Sequence, residues 1–533
     1  MDMGSHRRLG SVLATLTVVA GALVAARTPP AGSDPTLQEE LSAVLQRTGW
    51  RGATWGILAV SLERGDTLFA LNTDLPLIPA SNMKLLTAAA ALHVLGPEYR
   101  YRTFVLADGP VVDGVLQGDL VLYGTGDPAL SWRFSGSRTA VVEALADTAV
   151  ARLGLTGITG SVVGDGTFFD GPEVHPDWEP ADLDDWFAAP ASALSFNENV
   201  ITLRVMPGAD AETPARYETI PGGAQVAVVN RATTVAGRTQ RMFAGRSGGT
   251  GPIVIQGELG TAGPERWRLI SVDDPATFAA GALRRALEER GVRVAGGSHA
   301  LGNDAASALT GRNRWAPLDA EAAPPRIVAE HRSPPMAELV EVMNKHSHNL
   351  YAELLLKTLG RAVEGEGSYE AGSRVLRDFL VETVGADPDE VEIHDGSGLS
   401  RGNRVSADVL VRTLAYMRGA DTWDALFESL PRAGADEMGR MTRGAAAENL
   451  RAKTGTLTGV SALSGELRTL EGETVLFAIL QNDVPSRRAA KRVEDALSER
   501  IASLRRAREG AGVELRPAAR SDARPGAAGT SGQ

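Results

Sequence analysis

Ser81-Asn82-Met83-Lys84-Leu85-Leu86-Thr87-Ala88-Ala89-Ala90-Ala91-Leu92 lies between Pro79 and Gly96-Pro97 in a chain of 533 residues. The stretch predicts a helix, because Ala and Leu fill it, a Pro stands just ahead of it and Gly-Pro ends it. Small and apolar residues surround it on nearly all sides, so the helix is expected to be buried with its N-terminus facing a cleft. Ser81 and Lys84 stand at that N-terminus three residues apart, where their side chains share a face and can meet. A serine hydroxyl is a poor nucleophile until a base takes its proton. A desolvated lysine beside another cation can be neutral enough to do so. Unpaired N–H groups at the helix start also favour developing negative charge there.

Ser-x-x-Lys by itself is weak evidence, since about one or two arise by chance in a chain of this length at typical usage. Lysine is scarce here, however: the 54 basic residues divide into 49 Arg and five Lys, at 84, 345, 357, 453 and 491. A guanidinium keeps its proton near neutral pH and an ammonium in a suitable pocket does not, so each retained Lys is a candidate for proton chemistry. The plain alternative for any one of them is a surface Lys. Two distant elements complete the set. Ser347-His348-Asn349 falls in the break between two predicted helices, and Lys453-Thr454-Gly455-Thr456 lies on a predicted strand with another directly after it. Lys-Thr-Gly is expected only about 0.1 to 0.2 times by chance.

Around these motifs the chain changes texture. Thr54 to Ser61 and Thr67 to Asn72 read as strands about the turn Glu63-Arg64-Gly65-Asp66. From Tyr101 to Pro325, Gly, Pro and short β-like runs dominate without a single Lys: Val121-Leu122-Tyr123, Val200 to Met206, Ala224 to Val229 and Pro252 to Leu259. One helix, Pro275 to Arg290, is expected there. Residues 101–325 therefore predict a large inserted region, two nested β-rich domains. Helical patterns return at Met336 to Met343, at Leu350 to Leu359 closed by Gly360, and at Glu370 to Val384. Strand patterns follow at Leu450 to Leu457, Ser461 to Leu467 and Thr474 to Gln481. The last helix, Ser486 to Arg505, sets Val493, Leu497, Ile501 and Leu504 on one stripe. Residues 36–100 and 326–505 thus predict one α/β catalytic domain, discontinuous in sequence, and 510–533 a disordered tail rich in Arg, Ala, Pro and Gly.

The bulk composition narrows the function. The formal net charge of −12 and a pI near 5.3 leave no basic footprint for nucleic acid. Arg7 and Arg8, an uncharged run from Leu9 to Ala26 and the ending Val24-Ala25-Ala26 make residues 1–26 a secretory signal. The apolar run is nearly long enough to span a bilayer, so an uncleaved anchor is the other reading, and the only route to a membrane. Both readings export the chain to the periplasm or extracytoplasmic cell envelope. With no Cys, core burial alone must stabilise it.

Ser-x-x-Lys, a Ser-x-Asn triplet and Lys-Thr-Gly, in this order and in helix, loop and strand contexts, resemble the motif set of penicillin-binding proteins and class A β-lactamases. With 263 positions from Lys84 to Ser347, the chain resembles the D-alanyl-D-alanine carboxypeptidase/endopeptidase branch of the low-molecular-mass penicillin-binding proteins, whose hallmark is a long insertion. Gly124-Thr125-Gly126-Asp127-Pro128-Ala129-Leu130, Asn344 to Glu353, Asp395-Gly396-Ser397-Gly398-Leu399-Ser400-Arg401 and Ala452 to Thr456 also match that branch. The resemblance covers Thr36 to about Ala502. It implies an α/β fold, a penicillin-binding/β-lactamase-like transpeptidase domain with an antiparallel sheet flanked by helices, carrying a mostly β insertion.

It further implies a serine-type carboxypeptidase/endopeptidase acting on peptidoglycan stem peptides, with β-lactams as covalent inhibitors and no metal or other cofactor. Ser81 would form the acyl-enzyme and Lys84 activate it; Ser347 would relay a proton to the leaving amine, and Asn349 would hold the substrate amide. Lys453 and Thr454 would meet the terminal carboxylate, while Gly455 and Thr456 continue the strand that lines the substrate. The backbone N–H groups of Ser81 and Thr456 would form the oxyanion hole. Two departures stand out: His348, where relatives often carry Asp, is expected to point away from the nucleophile with little effect, and Ala435 to Arg440 replaces a Gly-Thr-Leu pattern. A β-lactamase-like hydrolase and a non-catalytic cell-wall binding protein are the competing readings.

Other patterns are expected to be decoys. Gly245-Arg246-Ser247-Gly248-Gly249 fits a nucleophile elbow, but Thr250-Gly251-Pro252 breaks the helix that motif needs. His346 and His348 lack a third ligand at metal spacing and read as polar loop residues. Asp165 and Asp170 have two readings, recognition of a charged stem-peptide side chain or a plain turn role.

Overall fold

The computed structural model describes residues 35–223, 225–301, 326–435, 438–447 and 449–506. The expected signal or anchor (1–26), the tail (510–533) and Asp436-Glu437 of the departing loop lie outside the described residues. Among the described residues no helix is long and apolar enough to cross a membrane.

The first unit is built on α1 (Pro35–Gln46), β1 (Thr54–Ser61), β2 (Thr67–Leu71) and α2 (Met83–Val94). The second covers β3 (Arg102–Asp108), β4 (Asp119–Tyr123), α3 (Ala140–Leu153), β5 (Val162–Asp165), β6 (Val200–Met206), β7 (Arg216–Ile220), β8 (Val228–Val235) and β9 (Gln240–Ser247). It continues through β10 (Thr250–Gly260), β11 (Arg266–Ser271), α4 (Pro275–Glu289), β12 (Ser298–Ala300) and β13 (Arg326–Arg332). The chain then forms α5 (Met336–Lys345), α6 (Asn349–Val363), α7 (Tyr369–Asp378) and α8 (Ala407–Arg418). It ends with β14 (Arg451–Leu457), β15 (Val460–Arg468), β16 (Thr474–Asn482) and α9 (Arg487–Ala502).

The first and last segments meet in one antiparallel five-stranded sheet, order β2-β1-β16-β15-β14. Its central strands read as nearly continuous apolar runs because both faces are covered, and β16 is buried at every position. Leu37, Leu41, Leu497 and Ile501 from α1 and α9 pack with Ile57, Phe477 and Ile479 on one face. Leu85, Leu86, Leu354 and Leu410 from α2, α6 and α8 pack with Leu58, Leu476 and Leu480 on the other. Helix α2 is buried at every position from Met83 to Leu92, as its lack of a polar face demands. This is the α/β architecture expected, an antiparallel sheet between helical layers.

Inside the inserted region a second five-stranded sheet has the order β12-β5-β4-β3-β13, joined by two three-stranded sheets, β7-β6-β11 and β8-β10-β9. Four features differ from expectation. Strand β13 pairs with β3, so residues 326–332 hydrogen-bond into the sheet of the insertion although the sequence boundary fell at 325/326. Helix α3 was not anticipated, although Val142, Leu145, Ala146 and Ala149 make an i, i+3, i+4, i+7 stripe that is buried. The strand expected at Ala224 to Val229 lies at β8 instead, because its register is set by parallel pairing with β10, Val228 opposite Ile253. Helix α6 runs through Gly360 to Val363. A Cβ there would sit 2.7 Å from Gly372 N and 2.9 Å from Ala371 Cβ, so this glycine lets α7 approach and does not end the helix.

Candidate active site

Ser81 sits in a single 3₁₀ turn, Ala80–Asn82, that runs into α2. The turn is forced by its neighbours. Ala80 takes a positive φ of 46°, and Gly398, itself at φ +81°, lies so close that a Cβ on it would stand 1.9 Å from Ala80 O. Only glycine permits both that backbone conformation and that approach. Gly398→Ala is therefore expected to displace the Ser81 turn and slow acylation about 10²-fold, the scale of a 1 Å misplacement. Stopped-flow acylation by a fluorescent penicillin checks this, and a wild-type rate would contradict it.

Lys84 Nζ is 3.0 Å from Ser81 Oγ, 2.6 Å from Asn349 Oδ1 and 2.8 Å from Ser397 O. Asn349 Oδ1 and Ser397 O are carbonyl oxygens that can only accept, so they take two N–H bonds of the amine. The serine hydroxyl can donate, so in the neutral amine the remaining lone pair faces it. The Lys84 side chain is fully buried. Burial lowers its pKa to about 7, against the opposing pull of Glu353 and Asp395. The second ammonium expected to keep Lys84 neutral is thus not the main cause. The influence runs the other way: Lys453 is depressed well below its ordinary value, first by burial and then by Lys84 and Lys491.

Ser347 lies at φ +52° in the turn between α5 and α6, and Lys453 Nζ donates to its Oγ at 3.1 Å and to Thr454 O at 2.9 Å. Asn349 opens α6 and spends both ends of its amide, Oδ1 on Lys84 and Nδ2 on Phe187 O at 2.7 Å. Gly455 is required by contact, since a Cβ would stand 2.8 Å from Pro79 O and 2.9 Å from Asn82 Nδ2. Thr454 and Thr456 follow the strand half-buried, and Thr456 Oγ1 donates to Gly455 O at 2.7 Å. The four side chains of Ser81, Lys84, Ser347 and Lys453 therefore converge, from three elements spread over some two-thirds of the chain.

His348 turns away from the nucleophile, as expected, and has a partner of its own. It is 1% exposed, and its Nε2 lies 2.9 Å from Glu198 Oε2, which also pairs with Arg133. The middle residue of the motif thus ties the Ser347 turn to the insertion. Asp165 accepts from Thr167 N at 2.9 Å, and Asp170 pairs with Arg361 at 3.0 Å and accepts from Gly367 N at 2.9 Å. The Asp165 bond is the local one of the turn reading, whereas Asp170 ties the insertion to Arg361 on α6 and to Gly367. Gly245 to Gly249 spans the hairpin between β9 and β10, with no helix after the serine. Among the described residues no cluster of three His, Asp or Glu could hold a metal.

Glu353 and Asp395 were not singled out in the sequence. Glu353, one turn beyond Asn349 on α6, accepts from Gly396 N at 2.8 Å and Ser397 N at 2.9 Å, so it holds the two peptide units just ahead of the Ser397–Gly398 unit whose carbonyl receives Lys84. Burial, then Asp395, raises its carboxyl to about 8, while hydrogen bonds from the Ser397 side chain and Gly396 N, and the charge of Lys84, oppose the shift. Asp395 accepts from Gly398 N, Ser400 N, Asn403 Nδ2 and Trp178 Nε1 and so shapes the whole turn. The usable signal was a lone carboxylate within Leu350-Tyr351-Ala352-Glu353-Leu354-Leu355-Leu356, since a buried acid needs partners.

The D-Ala-D-Ala carboxypeptidase 3 (S13) family matches residues 37–504. The chain is 36% identical over 484 residues to a D-alanyl-D-alanine carboxypeptidase of an Actinomadura strain, covering 87% of this chain and 84% of that one. The crystal structure of penicillin binding protein 4 from Haemophilus influenzae has a TM-score of 0.69 at 22% identity, covering 86% of this chain and 97% of that one. The same protein complexed with a β-lactam has a TM-score of 0.66 at 21% identity, covering 86% and 98%.

Proposed function

Because the chain belongs to the D-Ala-D-Ala carboxypeptidase 3 (S13) family, we propose that its serine-type carboxypeptidase chemistry on peptidoglycan runs through an acyl-enzyme on Ser81. The carrying observation is Lys84 Nζ at 3.0 Å from Ser81 Oγ, with its other two bonds committed to carbonyl oxygens. Neutral Lys84 takes the Ser81 proton as Oγ attacks the carbonyl carbon of the D-Ala-D-Ala peptide bond. The oxyanion is held by the backbone N–H groups of Ser81 and Thr456, each such donor contributing about 3 to 4 kcal/mol. The C–N bond breaks as the proton passes through Ser347 to the leaving amine, D-Ala departs, and water then hydrolyses the Ser81 ester. The terminal carboxylate of the substrate meets Lys453 and Thr454, and its charge restores the proton that burial discourages on Lys453. Asn349, with both amide ends engaged, acts on this reading by orienting Lys84 more than by holding the substrate amide.

The same cleft serves endopeptidase cuts of cross-linked stem peptides, and β-lactams acylate Ser81 as slow substrates. The site is carried by a discontinuous catalytic domain, 36–100 with 326–505 less the β13 residues 326–332 that pair into the insertion, and residues 1–26 export the enzyme to the periplasm or extracytoplasmic cell envelope. Mass spectrometry after incubation with penicillin tests the reading. An adduct on the peptide containing Ser81, together with D-Ala release from a stem pentapeptide, is expected. Rapid loss of free penicillin without a trapped adduct would favour a β-lactamase, and peptidoglycan binding without any adduct a non-catalytic binder.

A further inference from the structure

Lys491 lies outside all three motifs, yet it reaches one of them. From α9 its Nζ donates to Gly455 O at 2.9 Å. That oxygen belongs to the peptide unit whose nitrogen is Thr456 N, the strand donor of the oxyanion hole in the mechanism above. We propose that Lys491 is a positioning residue for acyl transfer: it fixes and polarises the Gly455–Thr456 peptide from its carbonyl end, so that the Thr456 N–H is aimed and strengthened as an oxyanion donor. The inference rests on the proposed acyl-enzyme mechanism.

Two physical reasons support it. A trans peptide is planar, so its C=O and N–H point in opposite directions, and pinning the oxygen sets where the N–H points. A hydrogen bond accepted at the carbonyl also makes the N–H of the same unit a better donor, a cooperative gain of about 10–30% per bond, and a cationic donor is stronger than a neutral one. The amine is itself held in place. Its partner Glu494, 3.3 Å away and fully buried, accepts from Ser461 Oγ at 2.5 Å and Gln481 Nε2 at 3.1 Å and pairs with Arg440. Ser461 stands directly opposite Thr456 in the sheet. The network therefore ties α9 to both strands that frame the donor, and it accounts for a Lys kept in a chain that otherwise uses Arg.

The experiment uses the full chain acylated by a penicillin carrying ¹³C at the β-lactam carbonyl, whose ester stretch in the infrared reports the strength of the oxyanion hole. In Lys491→Met the stretch is expected to move to higher frequency and the acylation rate to fall about tenfold, less than the 10²–10³ of a deleted donor. Lys491→Gln, which keeps a donor without the charge, should fall between Met and wild type and covers the case in which the Met variant does not fold. Arg440→Met removes the guanidinium that pairs with Glu494 and donates to Lys491 O but keeps the Nζ donor to Gly455 O, so its stretch should stay closer to wild type than that of either Lys491 variant. A stretch unchanged in both Lys491 variants, with only the melting temperature lowered, overturns the inference and leaves Lys491 a tether for α9. Absence of any adduct on wild-type Ser81 overturns the function reading beneath it.

Discussion

Ser81→Ala is expected to abolish the penicillin adduct and to lower D-Ala release by about 10⁴-fold or more, the scale on which losing a serine nucleophile acts. The loss should be chemical and not structural. Removing Oγ takes away one hydrogen bond, about 1 kcal/mol of net stability, and Lys84 keeps its bonds to Asn349 Oδ1 and Ser397 O. Thermal unfolding of the variant should therefore stay within a few degrees of wild type. Intact-mass spectra after incubation with penicillin are the check. A mass increment of equal size in the variant would show that another residue is the nucleophile.

Lys84→Met is expected to slow acylation of Ser81 by about 10²–10⁴-fold, the usual contribution of a positioned general base. Met fills most of the buried volume but leaves Asn349 Oδ1 and Ser397 O without their donor, a cost of about 1–3 kcal/mol each. The comparison should thus be made well below the melting temperature of the variant. The pH dependence has a fixed sign. Burial brings the Lys84 pKa to about 7, and only the neutral amine can take a proton. Wild-type acylation should therefore fall about tenfold per pH unit below that value and level off above it. In Lys84→Met this limb should vanish. A wild-type profile that is flat from pH 5 to 8 would remove Lys84 from the role of base.

The fold was readable where local pattern and burial coincide. The nearly all-apolar surround of Leu85 to Leu92 announced a buried helix, and the stripe Val493, Leu497 and Ile501 announced the helix that closes one face of the sheet. Reading failed where partners far along the chain decide the outcome. Residues 326–332 look like the start of the last segment, and only pairing with Arg102–Asp108 puts them into the insertion. Gly360 carries the usual signal of a helix end, and only contact with Ala371 and Gly372 shows that it serves close packing.

The site divides along the same line. Ser81 and Lys84 stand three apart at a helix start, so their spacing already puts them on one face, while the 3₁₀ turn that presents Ser81 also needs Gly398 packed against Ala80. Ser347 and Lys453 could be recognised as motifs, but their meeting at 3.1 Å belongs to the packed sheet and helices. Glu353 and Asp395 were visible only as members of matched stretches, and Lys491 lies in none. Their importance comes from the backbone groups they engage, Ser397 N, Gly398 N and Gly455 O, which have the same chemistry in every residue and become distinctive only once the chain is folded. The low pKa of Lys84 has the same origin, because loss of water around an amine is a property of the closed core and of no single residue in it.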